Sequence, residues 1–410
     1  MTTAALEATP AARGAAAPPP DADLDLTQRR LLFALCAAVF AVNLDSRVVA
    51  PLLPTIALEL NVSLVRAAWL ISAYMLPYGL CQLMFGPLAD RYGKITVCSH
   101  AMAAFSVGTA CTALWPSFAA IVTLRVLTGA AAAGLIPLTI AHIGDTVPYE
   151  RRQATLGTLM ATAGAAQALS TSLGGGIAAF LSWRAVFPIL GALSMLATIA
   201  LYVYGNGERR RPRLAAERAS YGTVLAAPGM RPLLALVAIE GFLFLGGFSY
   251  LSGLLEQRFG MGSLAIGGVL SLTGAPQLTT AALLPRILRR FSERRLLATG
   301  GLTIAIAFLC SALAPHWSWV ALACALLGGG FLLCHSTLQT RASEAFPQGR
   351  GTAVALFAFS LFLGSGVGTA LLGVLLEGVG VQVLLAAVSG SLFVFTAVVV
   401  RVLGRRSSAS

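Results

Sequence analysis

The sequence predicts an all-α integral membrane protein of twelve transmembrane helices in two pseudo-symmetric six-helix bundles, and three observations predict it. First, 57% of the 410 residues are hydrophobic, 11% are charged and the mean hydropathy is +0.81, whereas soluble domains carry roughly 25% charged residues. Second, apolar runs of about 20 residues, enough for a helix to cross ~30 Å of hydrocarbon, recur along the whole chain. Third, a single offset of 199 residues aligns distant features. It carries Asp90-Arg91-Tyr92-Gly93 onto Arg289-Arg290-Phe291-Ser292, and Pro148-Tyr149-Glu150-Arg151 onto Pro347-Gln348-Gly349-Arg350. The same shift carries Gly129 onto Gly328 and Gly174 onto Gly373. One shift that joins separate loops marks an internal repeat. Parallel repeats of this kind stand side by side about an axis along the membrane normal, with a cavity between them near the midplane.

In order, the predicted spans are 31–58, 66–87, 95–115, 118–141, 153–181, 184–204, 232–252, 264–285, 296–314, 317–340, 351–375 and 379–402. Residues 1–28 form an Ala/Pro-rich tail without the apolar core of a cleaved signal peptide, and disorder is expected there. Residues 29–204 make the first bundle and 230–403 the second. The polar stretch GNGERRRPRLAAERASYG, within 205–229, joins them, and 404–410 is a short tail.

The net charge of +12 does not read as a nucleic-acid footprint, because of where the 28 Lys and Arg lie. An even number of spans puts both termini on one side, with the 205–229 linker and most of the basic residues. The opposite side holds only Arg66, Arg184 and Arg258, and Arg47 and Arg125 fall inside spans. The positive-inside rule then makes both termini and the linker cytoplasmic, with contact to anionic lipid. All seven cysteines (Cys36, Cys81, Cys98, Cys111, Cys310, Cys324, Cys334) fall within spans and read as small apolar residues. No disulfide framework, metal spacing or cofactor motif is visible. Asn61-Val62-Ser63 matches a glycosylation sequon too short to carry weight.

The informative residues are the charges within spans, since a charge at the bilayer centre costs at least ~2.5–3.5 kcal/mol. Asp45 and Arg47 in span 1 lie about 200° apart around a helix, so they do not pair with each other. Counting ~1.5 Å per residue, Asp45 lies about 21 Å from the inner face and Arg125, in span 4, ~10 Å from the outer face. In a ~30 Å core these depths nearly coincide, which makes Asp45 and Arg125 partners across the cavity wall. Arg47, nearer the outside, is placed to snorkel. Glu240, about 12 Å into span 7, is unfavourable unless protonated or paired, and a carboxyl of that kind suits a proton carrier. The candidates for a solute cavity are Tyr74, Tyr78 and Gln82 in span 2, Gln167 in span 5, Phe248 and Tyr250 in span 7, Gln277 in span 8, and His335 and Gln339 in span 10. A mostly apolar cavity with few polar anchors suits an amphipathic solute. His335 has a second possible use in proton transfer.

Gly86-Pro87-Leu88-Ala89-Asp90-Arg91-Tyr92-Gly93-Lys94, in the loop after span 2, matches the G-x-L-x-D-R-x-G-R/K signature of the major facilitator superfamily. Arg125 and Gly129 resemble its R-x-x-x-G element, and Ser182-Trp183-Arg184 with Phe187 adds support. The resemblance covers roughly residues 30–403 and is closest to the twelve-span bacterial drug-efflux and sugar-efflux-like branch. It implies the major facilitator fold and alternating access in a multi-pass cell inner-membrane protein, expected to be a monomer. It also implies a gating role for Gly86, Asp90, Arg91, Gly93 and Lys94, in which Asp90 latches onto an opposing helix N-terminus or a basic residue. The repeat has Arg289 at the aspartate's place and should lack that latch. Drug/proton antiporters carry Gly-Pro in span 5 where this chain has Ser170-Thr171, a loss that should straighten the helix and alter the seal between the halves.

The expected function is proton-coupled export of small drug-like or amphipathic molecules, with Asp45 and Glu240 as carriers. A second transport reading is a sugar, amino-acid or other metabolite transporter in which Asp45 and Arg125 bind the solute. An intramembrane enzyme is disfavoured by the lack of H-E-x-x-H and G-x-S-x-G, and a sensor by the lack of a sizeable soluble domain. No catalytic residue or metal ligand is expected. The topology yields a direct prediction: thiol probes attached through the Arg209–Arg218 linker will react from the side of both termini. Labelling from the opposite side overturns the twelve-span arrangement.

Overall fold

A chain in hydrocarbon must satisfy its backbone N–H and C=O groups internally, and a continuous helix does so within one segment. The computed structural model describes residues 25–207 and 220–404, and 89% of the described residues are helical, with no strand among them. The expected N-terminal tail up to residue 24, the arginine-rich part of the linker at 208–219 and the tail at 405–410 lie outside the described residues.

The first bundle begins with α1, Leu26–Glu59, bent by a 3-10 turn over Ala50–Leu52 where Pro51 and Pro54 interrupt the helical bonding. Next come α2, Leu64–Tyr92, and α3, Lys94–Cys111. Ser63 caps α2 by accepting from the Arg66 amide, so the sequon serine serves as an N-cap. Gly93, at φ +87°, makes the tight turn from α2 to α3 that the loop signature requires. Then follow α4, Phe118–Thr146, α5, Tyr149–Phe180, and α6, Trp183–Tyr204. The Ser170-Thr171 pair leaves α5 helical throughout its 32 residues.

A short linker helix, Tyr221–Ala226, precedes the second bundle. This bundle comprises α7, Met230–Phe259, α8 in two segments, Ser263–Ser271 and Gly274–Arg290, α9, Glu293–Leu313, and α10, Trp317–Glu344. One helical stretch, Arg350–Gly404, turns at Gly380 with φ +78°, and so forms α11 (350–379) and α12 (381–404). Each predicted span falls on one of these helices.

The repeat is visible in atomic contacts. A Cβ on Gly129 of α4 would come within 2.2 Å of the Tyr74 carbonyl of α2, and one on Gly328 of α10 within 1.9 Å of the Thr273 carbonyl of α8. Both pairs are related by the 199-residue offset, so the same backbone-to-backbone contact packs both bundles. Small residues are what permits it, because lipid tails give leucine no reason to prefer protein over bilayer. The ends bearing the termini carry a related pair of salt bridges with the charges exchanged. Lys94 of α3 bonds Asp145 of α4, while Glu293, at the offset from Lys94, accepts from Arg341 of α10 at 2.7 Å.

The bundles meet along α2 with α11 and α5 with α8. At the end opposite the termini they are sealed. A Cβ on Gly175 of α5 would meet the Ser263 carbonyl of α8 at 2.2 Å, and Thr55 bonds Ser263 at 2.7 Å. Toward the termini the helices part. Added side-chain atoms at Gly157 would meet nothing within 4 Å, and in the second segment of α8 only Gly274 is buried. The sealed end has its own clamp that sequence reasoning did not assemble. Glu59 accepts from the indole of buried Trp183 at 2.5 Å and from Arg184 at 2.8 Å.

Replacing Gly129 with leucine should destabilise the protein by about 1–3 kcal/mol through overpacking against Tyr74. Thermal unfolding in detergent measures this, with Gly144→Ala, at an open position, as the neutral control. Equal melting temperatures for the two variants contradict the contact.

Candidate functional site

The α2–α4 contact places the first charged cluster. Gly129 lets α4 approach Tyr74, and Arg125, one turn earlier on α4, lays its guanidinium 4.2 Å from the Tyr74 ring centroid. Its Nη1 donates to Asp45 Oδ2 of α1 at 2.7 Å, and both side chains are buried, at 1% and 0% exposure. The structure thus joins the two charges that the residue count sets at one depth. The pair is joined through one oxygen: Asp45 Oδ1, Arg125 Nε and the Tyr74 hydroxyl are buried without a hydrogen-bond partner. In a low-dielectric site such atoms are costly. The cluster thus has unfilled bonds that suit a proton, a water or a solute group.

One turn before Arg47, Asn43 of α1 accepts from Gln167 of α5 at 3.0 Å, while the Asn43 amide donates to the Val39 carbonyl at 2.8 Å. Ser170 donates to the Leu44 carbonyl at 2.5 Å. Asn43 and Ser170 were missed as site residues. Asn43 has the signal of an amide two residues before a buried aspartate, on the helix face of Arg47. Arg47 itself does not run to the membrane surface. Its guanidinium lies 5.5 Å from the Phe248 ring centroid of α7, across the boundary between the bundles.

The second cluster belongs to α7 and α10. Glu240 is 1% exposed, its Oε2 lies 3.2 Å from His335 Nδ1, and its Oε1 is buried without a partner. Cys334 lies beside the same carboxyl. His335 stacks on Phe331 at 4.7 Å and sits 5.0 Å from Phe357. Directly after Glu240, residues Gly241–Leu245 form a π-helical turn, a feature frequent at functional sites. Here α7 and α11 nearly touch. A Cβ on Gly241 would meet the Leu361 carbonyl at 2.1 Å, and one on Gly364 the Ala238 carbonyl at 2.0 Å.

The other candidates scatter. Tyr78 is buried edge-on against Phe362 of α11 at 4.6 Å, and Tyr250 is buried with its hydroxyl donated to the Thr369 carbonyl, so both pack α2 or α7 against α11. Gln277 is half-buried and Gln339 exposed. Gln82 lines a cleft of about 510 Å³ at the termini end, together with Gly86, Asp90, Tyr221 and Arg350. Its Oε1 is buried without a partner. Asp90 of the first bundle and the start of α11 in the second thus face one cleft, and the Tyr221 hydroxyl of the linker helix donates to the Leu83 carbonyl at 2.9 Å. Arg91 is exposed over Tyr92, Lys94 is held by Asp145, and Arg289 is exposed without an ion pair among the described residues.

Two bundles of this connectivity around facing buried charges define a class of membrane transporter, and the comparisons agree. The family model described as Major Facilitator Superfamily matches residues 35–369, and the chain belongs to that family. An uncharacterized MFS-type transporter of Bacillus subtilis, YceJ, is 27% identical over 354 residues, covering 83% of this chain and 88% of the relative. The tetracenomycin C resistance and export protein of Streptomyces glaucescens is 30% identical over 181 residues, 43% of this chain and 34% of that protein. The chain thus matches about a third of the export protein's length. Among solved structures, a bacterial homolog of the human lysosomal transporter Spinster, inward-facing and unoccupied, superimposes with a TM-score of 0.75 at 17% identity. It covers 92% of this chain and 96% of that chain. The protein is a multi-pass membrane transporter of a small-molecule substrate.

Removing one partner of the buried pair leaves the other charge uncompensated. Arg125→Ala should therefore destabilise the protein by about 3–5 kcal/mol, and the double variant Asp45→Asn/Arg125→Ala by less than Arg125→Ala alone. Melting temperatures of the three proteins in detergent test this. A double variant weaker than Arg125→Ala contradicts the coupling.

Proposed function

We propose that the protein is a proton-coupled exporter of small organic molecules, working by alternating access and not as an enzyme. The observation that carries this reading is the pair of buried carboxyls, one in each bundle, each held through a single oxygen with the other left unpartnered. A carboxyl in that state keeps one oxygen open to a proton, and a rocking motion of the bundles would change the side of the membrane from which the proton reaches it. Asp45 exchanges its proton against Arg125, and Glu240 against His335. The orientation with both termini cytoplasmic in the cell inner membrane makes the parted end the cytoplasmic one, where solute would be taken up. Asp90, facing the start of α11 across the cleft, serves as the latch when that end closes. The partial likeness to an export protein supports the direction of transport. The protein acts as a monomer within anionic lipid.

A second reading has a specific observation in its favour. The unfilled bonds of Asp45, Arg125 and Tyr74 form a polar nest able to hold a sugar or amino-acid group directly.

Proteoliposomes under an imposed pH gradient separate the two, screened over dyes, antibiotics, sugars and amino acids. Asp45→Asn or Glu240→Gln should abolish concentrative transport while leaving solute exchange, and Asp90→Asn should slow transport at normal expression. If Asp45→Asn and Arg125→Ala both abolish solute binding at every pH, the nest is a solute site. Full pH-driven transport in both carboxyl variants refutes proton coupling through these residues.

A further inference from the structure

Arg47 lies about 24 Å along its span from Leu31, at ~1.5 Å per residue, within ~6 Å of the far face of a ~30 Å core. An arginine so placed ordinarily extends its stem to the interface. Here the guanidinium lies 5.5 Å from the ring centroid of Phe248, in the opposite bundle. Counted from the start of its span at residue 232, Phe248 is also about 24 Å deep. Beyond this point the far end is shut, since Gly175 of α5 packs on the Ser263 carbonyl of α8 and Thr55 of α1 bonds Ser263. Arg47 is therefore part of the roof over the space between the bundles, and that space is approached from the termini end.

The charge on this roof is unanswered. Asp45 is engaged by Arg125 and Glu240 by His335, and among the described residues Arg47 has no acidic partner. Its guanidinium lies against the Phe248 ring, and the residue is half-buried. One turn below, on the same face of α1, Asn43 and Gln167 form an amide pair able to hydrogen-bond a second polar group. A guanidinium fork, an amide pair one turn away and an aromatic ring alongside match an anionic head on an apolar body.

We propose that Arg47 anchors an anion subsite and that the transported solute is an amphipathic organic anion. Its carboxylate, sulfonate or phosphate meets the guanidinium and its apolar body lies against Phe248. This rests on reading the space between the bundles as the solute path. The same charge repels amphipathic cations, so the roof selects as well as binds.

The test is equilibrium binding to the purified protein in lipid nanodiscs, without a pH gradient. The probes are 1-naphthaleneacetate, its amide and 1-naphthylmethylamine, one apolar body with charge −1, 0 and +1. Naphthaleneacetate should bind about tenfold or more tighter than the amide, with the amine weakest. Arg47→Gln should erase the preference for the anion, and Arg47→Lys, which keeps the charge and controls for folding, should retain it at reduced affinity. No binding of naphthaleneacetate, equal affinity for anion and amide, tighter binding of the amine, or an anion preference that survives Arg47→Gln each overturns the subsite. Because no gradient is applied, loss of pH-driven transport with an intact anion preference sinks proton coupling alone. Conversely, pH-driven transport of cations without an anion preference sinks this subsite alone.

Discussion

Helices in hydrocarbon gain little by burying leucine on leucine, so they associate where their backbones come close enough for dispersion and polar contacts to count. Everything else in this protein depends on that constraint. Gly129 and Gly328 make the closest backbone contacts of their bundles, against the Tyr74 and Thr273 carbonyls. Arg125 stands one turn from Gly129 on the same helix. Contact between the backbones therefore sets the guanidinium over the Tyr74 ring and against Asp45. A side chain at Gly129 would push α4 away from α2 and open the ion pair with it. Packing and chemistry thus share one helix face.

Charge is handled differently at the three levels of the molecule. In the middle, each bundle buries one carboxyl against one basic partner on its own helices, so neither bundle carries an uncompensated buried acid when the two separate. At the termini end, the Lys94 bridge of the first bundle recurs in the second as Glu293 with Arg341. Only Lys94 and Glu293 are related by the offset; their partners, Asp145 and Arg341, stand at different positions of the two repeats. Under the sealed end, Arg47 stands apart from this scheme. It faces the opposite bundle, and its neighbour there is an aromatic ring and not an acid. An uncompensated cation in that position invites a ligand of opposite charge.

The π-helical turn after Glu240 joins the two themes. Extra backbone width at Gly241–Leu245 allows α7 to press glycine against α11 at the Leu361 carbonyl, and it sets Glu240 toward His335 and Cys334 of α10. The Phe331 and Phe357 rings beside His335 exclude water from one side of this pair. A carboxyl and an imidazole in contact, with one carboxyl oxygen left open, are well arranged to share a proton.

The sequence by itself determined the class, the all-helical membrane fold and the repeat, and it set Asp45 and Arg125 at one depth. Each follows from a one-dimensional quantity: the length of an apolar run, a constant offset, or a depth counted in residues. These survive folding because the rise per residue of a helix is nearly constant. Only the tertiary structure decided that Glu240 meets His335, that Gln167 serves Asn43, and that Tyr78 and Tyr250 pack helices together. It also decided that Arg47 turns to Phe248 in place of the membrane surface. Those contacts depend on the rotation of each helix about its axis and on which helices are neighbours. Periodicity in a chain apolar on nearly every face does not reveal rotation, because lipid and protein interior reward the same residues.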